Sequence, residues 1–139
     1  MDSIKLNYTV PGDDFTRAGA ASSDVKRTLK ELGVNPSIIR NVSIAMYEGE
    51  INLEIHAGGG EIDVEITEES INVVLSDHGP GIENIELAMK EGYSTAPDNI
   101  RCLGFGAGMG LPNIKKYTDD FRIETEIGVG TTLYLKVNL

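Results

Sequence analysis

Three short stretches of this 139-residue chain hold residue types that could do chemistry together. Glu48 and Asn52, four apart in Tyr47-Glu-Gly-Glu-Ile-Asn52, would project from one face of a helix, so a carboxylate and an amide meet at one point. An asparagine oxygen is a hard ligand suited to Mg²⁺, which takes few protein ligands and keeps phosphates and water. A glutamate beside it could take a proton from an attacking hydroxyl or water. Next comes Ser76-Asp-His-Gly-Pro-Gly-Ile82, an aspartate at a strand end followed by Gly79 and Gly81. Such an aspartate often shapes a turn; it can equally accept a hydrogen bond from an exocyclic amine, the glycines letting a flat ring lie against the backbone. The third stretch is Leu103-Gly-Phe-Gly-Ala-Gly-Met-Gly-Leu-Pro-Asn113, with glycine at 104, 106, 108 and 110.

That glycine run has several readings, and spacing removes two. A dinucleotide fingerprint needs G-x-G-x-x-G after a strand, and the third position falls on Met109 or Leu111. A Walker loop ends in Gly-Lys-Ser/Thr, a tripeptide this chain lacks. What is left is a mobile loop without a ligand, or amides converging on an anion ahead of a helix N-terminus. Thr131-Thr132, after Gly128-Val-Gly130, could add a polar contact at the start of a last strand.

The elements that must hold these residues follow from periodicity. Residues 3 to 10 alternate as a half-buried strand that Pro11-Gly12 stops, and a first helix is expected over Asp13–Leu32 with Gly33 at its C-terminal end. Asn35-Pro36 then opens a second helix running to Ala57, apolar on most faces and therefore interior, with Glu48, Asn52 and His56 on one stripe. His56 has no partner at metal spacing and reads as structural, and His78 as a turn residue. Glu61–Thr67 and Ser70–Asp77 alternate cleanly across a two-residue link, an antiparallel hairpin. Loops fill most of 78 to 108, a short helix is expected over Met109–Tyr117, and Phe121–Glu126 and Thr131–Leu139 are two more strands. Helices do not alternate with strands, so the expected fold is a two-layer α/β sandwich: one mixed, mostly antiparallel sheet with helices on one face.

Composition limits the partners. At 139 residues the chain fits one domain, folding alone or as a small oligomer such as a homodimer, and 40% apolar with 24% charged content is that of a globular protein. A net charge of −10 argues against nucleic acid and anionic membrane surfaces, which need lysine and arginine. One cysteine, Cys102, excludes an internal disulfide and a cysteine-cluster zinc site. With no long apolar run and no signal-like start, a cytoplasmic location is expected.

In order along the chain, Glu48 with Asn52, Asp77-x-Gly79-x-Gly81, Gly104-x-Gly106-x-Gly108-x-Gly110 and Gly130-Thr131-Thr132 resemble the N, G1, G2 and G3 boxes of the GHKL ATPases. That superfamily includes gyrase B, the MutL repair proteins, a heat-shock chaperone and the histidine kinases. The match spans about residues 40 to 135, and four ordered boxes are far more specific than one. Within the superfamily, DHGPGIENIELAMKEGYSTA and GAGMGLPNIKKYTDDFRIET are most similar to small bacterial anti-sigma factors and switch-protein serine/threonine kinases.

The resemblance implies one histidine-kinase-like ATP-binding domain over residues 1–139 with the Bergerat fold, using ATP and Mg²⁺. Carried over by position, Asn52 would ligate Mg²⁺, Glu48 would be the general base, and Asp77 would bind the adenine amine. Gly79 and Gly81 would shape the adenine pocket, Gly104, Gly106, Gly108 and Gly110 would form the phosphate-binding hinge of a lid, and Thr131 would lie near the base. The implied substrate is a serine or threonine on a small STAS-type antagonist protein, with sequestration of a sigma factor or another regulator, or simple ATP hydrolysis, as alternative roles. One departure is the extended segment Pro97–Leu103 ahead of the glycines, which carries Arg101.

Overall fold

The computed structural model describes residues 3–11, 19–56, 58–82, 89 and 110–139, with the side chains of 55, 56 and 110 excepted. The lid glycines Gly104, Gly106 and Gly108, the segment 97–103 and the start expected for the first helix lie outside the described residues.

Eight elements are described, in the order β1 (Ile4–Pro11), α1 (Ala20–Glu31), α2 (Pro36–His56), β2 (Gly59–Ile66), β3 (Ser70–Ser76), α3 (Gly110–Lys116), β4 (Asp120–Glu126) and β5 (Gly130–Asn138). The strands form one sheet in the order β1-β2-β3-β5-β4. Every pairing among them is antiparallel, so the expected mixed sheet is antiparallel throughout its described strands. For β2–β3 and β4–β5 the reason is local, since both are tight hairpins, which only antiparallel strands can make; β1 joins the sheet along β2, and β5 along β3.

Strand alternation puts one side of the sheet in the core. Ile62, Leu75 and Leu133 form a cross-strand row with Ile123, and Val64, Val73 and Leu135 form the next with Phe121. Ile62, Leu75, Leu133, Val64, Val73 and Leu135 are buried, and Ile123 and Phe121 on the edge strand are partly buried. The opposite side carries Glu61, Asp63, Lys136 and Arg122 and is exposed or half-buried. A sheet with one wet side buries the other under helices.

Helix α2 covers it, touching β1, β2, β3 and β5 and packing against both α1 and α3. Met46 and Leu53 are buried, as is Gly49, and a Cβ on Gly49 would stand 2.7 Å from Leu75 Cδ2. Glycine here lets the helix axis close on β3.

Helix α1 begins immediately after Gly19, whose φ of 87° turns the chain into it. No side chain of its own first turn caps it. The buried carboxylate of Glu50 on α2 does so instead: Gly19 N and Ala21 N donate to Oε2 at 3.1 and 3.2 Å, and Ser22 N and Oγ donate to Oε1 at 3.0 and 2.9 Å. A charge placed at a helix N-terminus and given four donors is stable despite its burial. At the other end Gly33, with φ 75°, closes α1 as expected, its N–H donating to the Lys30 carbonyl and that of Val34 to Leu29.

Candidate functional site

At one end of the helix-facing side of the sheet the apolar rows give way to a polar one. Asp77 follows β3 in register with the buried Ile71, Val73 and Leu75, and next to it across the sheet lie Thr131 of β5 and Thr125 of β4. Asp77 and Thr131 are both buried. The Asp77 Oδ1 accepts two backbone hydrogen bonds, from Gly79 N at 2.9 Å and Thr131 N at 3.0 Å, while Asp77 N donates to the Thr131 carbonyl at 3.0 Å. Among the described residues nothing donates to Oδ2. One oxygen therefore holds the loop and the other is available to a ligand.

Two glycines let the loop lie this close to the β4–β5 hairpin. Gly130 has φ 146°, and a Cβ on it would fall 2.1 Å from the Asp77 carbonyl oxygen. Gly81 has φ 84°, and a Cβ there would fall 2.7 Å from the Glu126 carbonyl oxygen. Gly128 N donates to the Pro80 carbonyl at 3.0 Å, and Ile82 N to Thr125 Oγ1 at 2.9 Å. The turn from Asp77 to Ile82 is thus fastened at both ends.

The second cluster lies on α2. Glu48 is half-buried, and that burial raises its pKa above the ordinary carboxylate range. A long hydrogen bond of 3.4 Å from Asn113 Nδ2 on α3 pulls in the opposite direction by stabilising the anion. Glu48 also borders a groove of about 340 Å³ between α1 and α2, whose walls include Ser23, Lys26, Ser43 and Tyr47. Asn52, one turn further on, is half-buried, and its amide has no hydrogen-bond partner among the described residues.

The predicted site residues therefore fall into two described clusters. Asp77, Gly79 and Thr131 are joined by direct hydrogen bonds, with Gly81 on the same loop packed against the Glu126 backbone, while Glu48 and Asn52 share a face of α2. Gly110 is the first residue of α3, the helix that carries Asn113 to Glu48. Two residues escaped sequence reading. Asn113 sits in the quoted GLPN stretch behind the last glycine, and Thr125 sits at an inward position of an alternating strand, where a threonine among apolar neighbours was the available signal.

The donor set fits an adenine nucleotide: an available carboxylate oxygen for an exocyclic amine, on a loop that Gly81 and Gly130 let pack against the β4–β5 hairpin. It fits Mg²⁺ as well, through one hard amide oxygen. No group of three or more His, Cys, Asp or Glu side chains able to enclose a metal occurs among the described residues.

A two-layer antiparallel α/β fold with this paired loop and helix site defines a class of nucleotide-binding proteins. The chain belongs to the histidine kinase-, DNA gyrase B- and HSP90-like ATPase family, whose model matches residues 37–139. ATP is the nucleotide of that family. The serine/threonine-protein kinase RsbT of Bacillus subtilis is 30% identical over 112 residues, covering 78% of each chain. An anti-sigma F factor of Clostridium acetobutylicum is 32% identical, covering 96% of this chain and 90% of its own. Among solved structures, the SiaB–SiaC complex of Pseudomonas aeruginosa gives a chain of the same fold, with TM-score 0.63 at 12% identity, covering 95% of this chain and 88% of that one. The RsbU and RsbW domains of a Mycobacterium tuberculosis protein give TM-score 0.61 at 17% identity, covering 96% of this chain and 32% of that one.

Proposed function

We propose that this protein is an ATP-dependent serine/threonine kinase of a bacterial regulatory switch, acting on a small STAS-type antagonist protein. The observation that carries the reading is the division of labour at Asp77, one carboxylate oxygen fixing the loop and the other open beside glycines that tolerate no Cβ. Relatives over most of the chain that are named a serine/threonine-protein kinase and anti-sigma F factors support the class of activity and partner.

In this reading Asp77 accepts the adenine amine, Gly79 and Gly81 shape the base pocket, and Thr131 lies beside it. Asn52 offers its amide oxygen to Mg²⁺. Gly104, Gly106, Gly108 and Gly110 supply backbone amides to the phosphates. Phosphoryl transfer is the chemistry that ATP brings. Glu48 contributes the base: it removes the proton of the acceptor hydroxyl as that oxygen bonds to the γ-phosphorus and the bond to ADP breaks. A half-buried carboxylate with raised proton affinity suits this task, because a stronger base takes a hydroxyl proton more readily. The groove along α1 and α2 gives an acceptor a route to Glu48.

The test is incubation with labelled ATP, Mg²⁺ and STAS-type acceptor proteins. Label on an acceptor serine or threonine, lost in Glu48→Ala, is the expected result; nucleotide binding without transfer to any acceptor overturns the kinase reading. The names of the anti-sigma F relatives favour a second reading, sequestration of a sigma factor or other regulator with ATP as effector. Complex formation that survives Glu48→Ala identifies that role, and steady phosphate release without an acceptor identifies an ATPase.

A further inference from the structure

We infer that Thr125 of β4 is a positioning residue that sets the donor–acceptor polarity of the base pocket, and with it a preference for adenine over guanine. The inference rests on the reading of Asp77 as the acceptor for the base amine. Thr125 belongs to none of the four sequence boxes, yet its hydroxyl holds the two halves of the pocket together.

Thr125 Oγ1 lies 2.9 Å from Ile82 N, 2.8 Å from Thr131 Oγ1 and 3.4 Å from the Gly130 carbonyl oxygen. A hydroxyl has one proton to give and accepts with two lone pairs. The Ile82 N–H can only donate, so one lone pair of Thr125 is committed. Two arrangements of the remaining protons are compatible with the distances. In the first, Thr125 donates to Thr131 across 2.8 Å, and Thr131 keeps its own proton for a ligand. In the second, Thr131 donates to Thr125, whose proton is left with the Gly130 carbonyl at 3.4 Å, too long for a strong O–H···O bond. The first arrangement spends the proton of Thr125 on the short contact.

The pocket then presents an acceptor, Asp77, next to a donor, Thr131. The edge of adenine offers an amine donor next to a ring-nitrogen acceptor, which is the complement. The edge of guanine offers a carbonyl acceptor next to a ring N–H donor, so both of its groups meet their like. Discrimination of this kind is large when buried polar groups would be left unpaired. Removing the Thr125 hydroxyl frees the Thr131 hydroxyl to turn and accept, which costs ATP a bond and removes a penalty from GTP. It also leaves the Ile82 N–H without its acceptor.

The experiment measures ATP and GTP affinities of the full chain by calorimetry, with thermal melts as the check on folding. Thr125→Val should weaken ATP binding about tenfold and reduce the ATP-over-GTP preference by about as much, while Thr125→Ser stays within about threefold of wild type, as expected for one lost bond in a polar site. In a Thr131→Val background the same change should leave the preference unmoved, because there is no hydroxyl left to orient. Equal losses for ATP and GTP in Thr125→Val, or no loss at all, overturn the assignment. Asp77→Asn measured alongside separates this from the underlying reading: wild-type ATP affinity in Asp77→Asn removes the base site and the inference with it. Lost affinity there with an unmoved preference in Thr125→Val overturns the role of Thr125 alone.

Discussion

Glu48 and Asp77 are both carboxylates withdrawn from water, and their surroundings use them differently. Asp77 is buried but compensated by two N–H donors, whereas Glu48 is half-buried with one long bond from Asn113. Because burial raises the Glu48 pKa, the folded state holds its proton to a higher pH than the unfolded chain does. Between those two pKa values the folded state binds more protons, so Glu48 lowers stability as pH rises through that window and keeps the penalty above it. Glu48→Gln should therefore leave the melting temperature at neutral pH unchanged or higher, while phosphoryl transfer falls by roughly 10²–10⁴. The pH profile of transfer should lose activity on acidification at a pH above the ordinary glutamate range, since the base must be ionised. Asp77→Asn should keep the size and remove the charge, weakening ATP binding at least about tenfold by calorimetry. At this scale the sequence made the carboxylates, Asn52 and the glycines legible because each sits in a spaced motif. Thr125 and Asn113 were not legible as site residues, since what brings them to Thr131 and Glu48 is cross-strand register and helix packing.

Among the elements, α2 does most of the positioning. It carries Glu48 and Asn52, buries Gly49 against Leu75, and supplies the cap of α1. Gly49→Ala should push α2 off β3 and destabilise the protein by about 1–3 kcal/mol, read by denaturant unfolding, the range for overpacking a tight contact. Gly81→Ala should weaken nucleotide affinity without unfolding the sheet, because its positive φ and the nearby Glu126 carbonyl both resist a Cβ. The strands, α2 and α3 were foreseen within a residue or two, as clean alternation and Gly and Pro boundaries allow. Gly19 was not foreseen as the point where α1 begins, because the group that completes that start, Glu50, stands far along the chain on α2.

For the molecule as a whole, ligand binding should register as stability. Saturation with ATP and Mg²⁺ at about 100 times the dissociation constant adds about 2.7 kcal/mol by mass action, so a thermal melt should rise by several degrees in wild type and by less in Asp77→Asn. A two-layer α/β sandwich with one mixed, mostly antiparallel sheet was the fold class the element order favoured, because helices do not alternate with strands, and the described strands pair antiparallel throughout. Trans-capping by Glu50 has a kinetic consequence. The start of α1 is completed by a group about thirty positions downstream, so during synthesis α1 leaves the ribosome before its cap exists, and as an isolated 12-residue segment it should be largely uncoiled. Its ordering must then wait for α2, and a slowed refolding rate in Glu50→Gln would time that docking at or before the folding transition state.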